Sequence, residues 1–279
     1  MPAPATKTAR GVEVPTVAIG VFEVDPGETA AIVADALAAG YRHVDTASAY
    51  GNEKEVGEGL RESGVDRDDV WVTTKVWIDD FAPERLRRSA ESSLRRLGLD
   101  RLDLLLMHWP ARDPAQHAPA LEELGRLRAE GLIREFGVSN FPGYLLREVL
   151  EIAPEIFADQ VEYHAKLSQR ELLEIAAEHD LLIEAYAPLG GSASDMVEEP
   201  ILEEIAESHG ATPAQVALAW LAHQDRVAIL PRSTDPGRRR ENLAALEVDL
   251  TGDETRRIDE LSERRERNFD PSFAPDWRD

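Results

Sequence analysis

Apolar residues recur in short β-rich runs, separated by longer segments where they return every three or four positions. The runs are TVAIGVF (16–22), YRHVDTA (41–47), VWVTTKVW (70–77), LDLLLMHW (102–109), IREFGVSN (133–140), FADQVEYH (157–164), LLIEAYAP (181–188) and RVAILPRS (226–233). Their length and β-branched content predict strands, and the Ala-, Leu-, Glu- and Arg-rich segments between them predict helices. In PERLRRSAESSLRRLG, Leu86, Ala90, Leu94 and Leu97 share one helical face, and Gly98 is placed to stop the helix. Eight such units in 279 residues predict an α/β fold, a single (β/α)8 TIM barrel spanning 1–279 with no linker. The rival, an open doubly wound sheet, usually carries G-x-G-x-x-G after its first strand. Neither that run nor a G-x-x-x-x-G-K-[ST] loop occurs.

Composition narrows the chemistry. With 43% hydrophobic residues the chain can bury a large core, and with no cysteine it can form neither disulfides nor thiolate sites. A net charge of −23 argues against nucleic acid, whose phosphates demand neutralisation. The acidity runs along the whole chain, and only four basic residues are lysine against 27 arginines. This pattern predicts a protein adapted to high salt, where at roughly 1 M the Debye length is about 3 Å and a carboxylate surface no longer repels itself. A merely acidic mesophilic enzyme is the alternative. The first residues lack the apolar core of a signal peptide and no run is long enough to span a membrane, so a cytoplasmic location is expected.

In a barrel, residues at the C-terminal ends of the strands face the site. Those positions hold Asp45 with Tyr50 on the next loop, Lys75, His108, Ser139 and Asn140, Gln160 and Tyr163, Tyr186, then Arg232 and Ser233. Asn52, with Glu55 three residues on, has the spacing of a capping box. Each polar residue alone has a structural explanation. Asp, Tyr, Lys and His converging together suggest acid catalysis. A phenol with pKa near 10 is a poor proton donor at neutral pH. An ammonium ~4 Å away stabilises the phenolate by about 4 kcal/mol at an effective dielectric near 20, enough to lower the phenol pKa by up to ~3 units. Asp45 would keep Lys75 charged, Lys75 would acidify Tyr50 as general acid, and His108 would orient the substrate oxygen. The reaction implied is protonation of a carbonyl oxygen as hydride reaches its carbon, which requires a nicotinamide.

The ordered set VDTASAYGNE, KVW, LLLMHWP, GVSNF, QVEYH, AYAPLG, LPRST and REN, from about residue 11 to 262, resembles the aldo-keto reductases of microbial type. The resemblance implies a (β/α)8 barrel with a short N-terminal hairpin and a C-terminal loop over the site. It implies NADPH-dependent, metal-free reduction of aldehydes and ketones to alcohols, by a protein expected to be a monomer. It implies that Ser139, Asn140 and Gln160 bind the nicotinamide carboxamide and that Tyr186 stacks on the ring. Leu189, Arg232, Ser233, Arg238, Glu241 and Asn242 would hold the pyrophosphate and adenosine end, and Phe22, Trp77 and Trp109 would line the substrate pocket. Phe269, Phe273 and Trp277 would reach the substrate if the tail folds over the pocket. Ala187 stands where relatives often have serine, and Arg232 where they often have lysine. Asp235 stands near the expected 2′-phosphate and would repel it, so NADP(H) is the expected cofactor with NAD(H) possible.

The stretch PRSTDPGRRREN places four arginines within residues 232–240. This is either a solvated basic face or a phosphate clamp at a helix start. Other chemistries fit less well. His43 and Asp45 alone are not a metal set, and GVSNF departs from G-x-S-x-G at its last position. A Schiff-base lysine at Lys75 and a non-enzymatic cofactor-binding barrel acting as a sensor or regulatory subunit are the remaining alternatives.

Overall fold

The computed structural model describes residues 5–191 and 194–278. The ends of the expected 1–279 domain, and residues 192–193 of the loop after the seventh run, lie outside the described residues. The chain opens with an antiparallel hairpin, β1 (Thr6–Ala9) and β2 (Val12–Pro15). Its turn residues Arg10 and Gly11 both have positive φ, 49° and 72°, the backbone a tight two-residue hairpin loop requires. Ala9 and Val14 are fully buried against Leu104, Leu106, Phe157, Leu182 and Ala228, so the hairpin packs onto the barrel as a plug.

Eight parallel strands follow in chain order: β3 (Ile19–Gly20), β4 (His43–Asp45), β5 (Trp71–Val76), β6 (Leu102–Met107), β7 (Ile133–Ser139), β8 (Ala158–Glu162), β9 (Leu182–Tyr186) and β10 (Val227–Leu230). The sheet closes on itself. Ala18 N–H donates to Ile229 O and Ile229 N–H to Thr16 O, both at 2.8 Å. Each strand lies inside one predicted run and is shorter than it, because the run ends turn out of the sheet to carry the site.

Helices α1 (Pro26–Ala39), α2 (Glu53–Glu62), α3 (Pro83–Leu97), α4 (His117–Ala129), α5 (Gly143–Ile152) and α6 (Arg170–His179) follow the first six barrel strands. Helices α7 (Pro200–His209) and α8 (Pro213–Ala222) precede β10, and α9 (Pro236–Ala244) and α10 (Gly252–Ser262) follow it. In α3 the predicted face is the buried one, joined by Ser93, and Gly98 ends the helix with φ 67°. Two glycines set how closely α2 packs. A Cβ on Gly57 would stand 2.2 Å from Leu97 O, and one on Gly59 2.5 Å from Ala30 O. Helix α2 is thereby held against both neighbours, and the loop before it carries Tyr50.

Candidate active site

The top of the barrel gathers residues from almost every strand. Lys75, at the end of β5, is buried and donates to both oxygens of Asp45 at 2.8 and 2.9 Å, to Thr46 O at 2.9 Å and to the Tyr50 hydroxyl at 3.3 Å. His108, just beyond β6, sets its ring edge-on to Tyr50 at 5.7 Å. The four side chains of the expected tetrad therefore meet. The predicted capping box does not form. Asn52 makes no side-chain cap bond to α2. Its buried amide accepts from Thr46 Oγ1 at 3.0 Å and donates to Val21 O at 2.9 Å, tying two strand-end loops together.

Burial sets the electrostatics. It draws Lys75 down, but Asp45 and Tyr50 outweigh it and leave the ammonium above its ordinary value. Burial pushes the Tyr50 phenol up and Asp45 adds to the rise; Lys75 pulls against both, yet the net shift is upward. The expectation of a net acidified phenol is therefore corrected. The lysine acts in the predicted direction, but removing the phenolate from water weighs more. Burial, with Lys75 adding to it, holds His108 well below 6.5, so the imidazole is neutral. Its Nδ1 is a buried polar atom with no hydrogen-bond partner among the described residues.

Beside the tetrad lies a polar floor. Ser139 Oγ donates to Gln160 O at 2.8 Å and accepts from Asn140 Nδ2 at 3.0 Å. Asn140 also donates to His108 O at 2.9 Å, and its Oδ1 accepts the Tyr186 hydroxyl at 2.8 Å. Asn140 has a positive φ of 64°, a strained conformation that a functional site tolerates when its bonds fix it. Gln160 Nε2 donates to Asp45 Oδ2 at 2.9 Å and to Glu184 Oε2 at 2.8 Å. A cleft of about 1,750 Å³ joins this floor to Tyr50, His108, Phe22, Trp77, Trp109, Leu189, Arg232 and Arg238.

The far end of the cleft differs from the sequence expectation. Asp235 is the N-cap of α9, its carboxylate accepting the Arg238 N–H at 2.8 Å. That helix start already holds the chain's own anion, bound as a phosphate would be. Arg239 is buried, paired with Asp35 and bonded to Ser233 O and Thr234 O, so it braces the fold. Arg232 crosses to Phe22 O at 3.1 Å and Glu23 Oε2 at 3.2 Å. Ser233, Glu241 and Asn242 do not line the cleft. Asn242 is buried, Glu241 is exposed, and Ser233 closes a local turn with Asp235. Tyr163 faces outward, packed on Trp220 and donating to Gln224 Oε1 at 2.6 Å.

The C-terminal segment lies over the pocket. Phe273 is edge-on to Trp77 at 5.6 Å and to Trp109 at 5.5 Å, and Phe269 is edge-on to Tyr186 at 5.5 Å. Glu162 holds this segment by accepting the N–H groups of Asn268 and Phe269 at 2.8 and 2.9 Å. The sequence reading missed Glu162 and Glu184. Each is an acidic residue inside an apolar run, QVEYH and LLIEAY, and that was the available signal. Among the described residues no group of three or more His, Cys, Asp or Glu is placed to hold a metal.

Residues 16–263 match the Aldo/keto reductase family. The chain is 41% identical over 270 residues to the 9,11-endoperoxide prostaglandin H2 reductase of Trypanosoma cruzi, covering 95% of this chain and 94% of that one. Its fold is similar to the aldose reductase from Schistosoma japonicum, with TM-score 0.88, 32% identity and 95% and 93% of the two chains covered. It is also similar to a mutant of Gox0644 solved in complex with NADPH, with TM-score 0.86, 33% identity and 93% and 94% covered.

Proposed function

Because the chain belongs to the aldo/keto reductase family, we propose that its NADP-dependent reduction of aldehydes and ketones runs through Tyr50 as general acid, with Lys75, Asp45 and His108 around it. The observation that carries this reading is the Lys75 ammonium, buried between the Asp45 carboxylate and the Tyr50 hydroxyl. The residues of the cleft fit a nicotinamide dinucleotide. Ser139, Asn140 and Gln160 offer amide and hydroxyl groups for a carboxamide, Tyr186 an aromatic surface, and Arg232 and Arg238 cations for the phosphates. When bound, that group supplies hydride to the carbonyl carbon.

Tyr50 is protonated at neutral pH and can donate to the oxygen that gains charge. Lys75 stabilises the phenolate left behind, and Asp45 keeps the lysine charged in a dry site. Neutral His108 orients the same oxygen. Phe22, Trp77 and Trp109 form an apolar wall that favours carbonyl compounds with apolar bodies and excludes water. Tyr50→Phe tests the reading. Turnover with NADPH should fall by roughly 10²–10⁴-fold while NADPH affinity holds. Undiminished turnover in that variant would remove Tyr50 from the mechanism. The loss of turnover at unchanged NADPH affinity also separates the enzyme from a cofactor-binding sensor, which has no turnover to lose.

NADP(H) is the proposed cofactor, with NAD(H) accepted because Asp235 already caps α9. Four further parts of the reading stay proposals: a cytoplasmic location, a monomeric state, adaptation to high salt and a solvated acidic surface. The net charge of −23 supports the salt reading, and no helix among the described residues is long and apolar enough to cross a membrane. A melting temperature unchanged between ~0.1 M and ~2 M salt, where screening differs most, would count against salt adaptation. A gel-filtration mass near 31 kDa would support the monomer.

A further inference from the structure

Glu184 lies on β9, fully buried inside the barrel beneath the tetrad. Gln160 has two amide protons, and the barrel uses both: Nε2 lies 2.9 Å from Asp45 Oδ2 and 2.8 Å from Glu184 Oε2. The amide therefore has one stable orientation, with Oε1 turned away from both carboxyls and left for the cleft that Gln160 lines. Were Glu184 apolar, one Nε2 proton would lose its acceptor and Asp45 alone would hold the amide, leaving it free to swing about that one bond and draw Oε1 off its aim. The other charged or titratable groups facing Glu184 leave this logic unchanged. Its Oε1 has no hydrogen-bond partner and lies 3.6 Å from His43 Nε2. That nitrogen is itself paired with Thr73 Oγ1 at 3.0 Å, and Lys75 is committed to Asp45.

We infer that Glu184 is a positioning residue for cofactor recognition: by holding the Gln160 amide with its carbonyl oxygen toward the cleft, it makes that oxygen the acceptor for the carboxamide NH2 of the nicotinamide. The inference rests on the proposed cofactor site. It accounts for an acidic residue at the centre of an apolar strand, where a carboxyl is expensive to bury and is retained only if it does something an aliphatic side chain cannot. It adds to the tetrad without altering it. Glu184 touches neither the Tyr50 hydroxyl nor the Lys75 ammonium.

The experiment is a double-mutant cycle read by cofactor binding. Dissociation constants for NADP+ and for its 3-acetylpyridine analogue, which carries a methyl in place of the amide NH2, are measured for the wild type, Glu184→Leu, Gln160→Leu and the double variant. Glu184→Leu should weaken NADP+ by roughly 3- to 10-fold, the range of one hydrogen bond, and leave the analogue unchanged. Gln160→Leu should weaken NADP+ similarly, and the double variant should lose no more than the single one. Glu184→Gln keeps an oxygen acceptor for Gln160 and should restore NADP+ affinity. Additive losses, or equal losses for NADP+ and the analogue, would overturn the inference by showing general disturbance of the barrel. Glu184→Ala reads the same cycle if Glu184→Leu does not fold. A wild type that binds neither nucleotide would instead sink the proposed cofactor site itself.

Discussion

Glu162 accepts the main-chain N–H of Phe269 at 2.9 Å and that of Asn268 at 2.8 Å. A side chain buried at the end of β8 thus fixes the segment that closes over the pocket. Burial opposes its charge, but His164 and the two tail amides hold the carboxyl below the usual range. Glu162→Ala leaves the two tail amides without that acceptor. It should release the tail, seen as faster hydrogen exchange across residues 268–277. KM for large apolar carbonyls should rise by roughly 10-fold or more, the loss expected for a charged hydrogen bond. Unchanged exchange in the tail would show that the aromatic contacts of Phe269 and Phe273 alone hold it.

Asp235 makes cofactor preference testable in one residue. It caps α9 through Arg238 N, and a serine can accept the same bond without the charge. Asp235→Ser should raise the ratio of NADPH to NADH catalytic efficiency by about 5- to 20-fold at low salt, less at high salt, because screening weakens the repulsion that is removed. Equal efficiencies before and after the change would place the 2′-phosphate elsewhere.

Stability should change little between about pH 4.5 and 6.5, where two opposing pairs of buried groups offset one another, and should fall as pH rises above 6.5. Burial depresses His43 to about 3 and His108 well below 6.5. Both are neutral in the fold, whereas unfolded chains bind their protons below 6.5, so their contribution is lost as pH falls from 6.5. Burial and Asp45 raise Glu184 to about 8. Its contribution is complete below the unfolded value of about 4.5 and is lost as pH rises toward 8. Asp159, raised well above its ordinary value by burial, acts in the same direction. Each group contributes a slope of up to ~1.4 kcal/mol per pH unit. Thermal melts from pH 4 to 9 should show the level stretch and the fall above it, and Glu184→Gln should flatten the fall between 6.5 and 8. An alkaline flank of equal steepness in that variant would show that Glu184 ionises as an exposed acid does.

Much of the fold could be read from the chain because barrel strands are buried on both faces and appear as unbroken apolar runs. All eight runs contain a strand, and the α3 face and its glycine stop fall where the spacing placed them. Polar residues were read less well when their partners are distant in sequence. Asn52 has the local form of a helix cap, but as a buried amide it found better acceptors and donors in Thr46 and Val21. Arg239 counted as one of four clustered cations, but it turns inward to Asp35. The net direction of the Tyr50 shift depends on how much water the fold removes, and no sequence spacing reports that. Glu184 was visible only as an acid in an apolar strand; its partner Gln160 comes from the neighbouring strand, and pairing that only the closed barrel creates gives the acid its role.

The hairpin that packs onto the base of the barrel has one more effect. Ala9 and Val14 pack over that end, and the cleft on the other side of the barrel is lined by Phe22, Phe269 and Phe273. Residues from both ends of the chain therefore share one cavity lining with Tyr50 and His108. If the proposed chemistry holds, exchanging these three aromatic side chains should change which carbonyl compounds are accepted while leaving the proton donor in place.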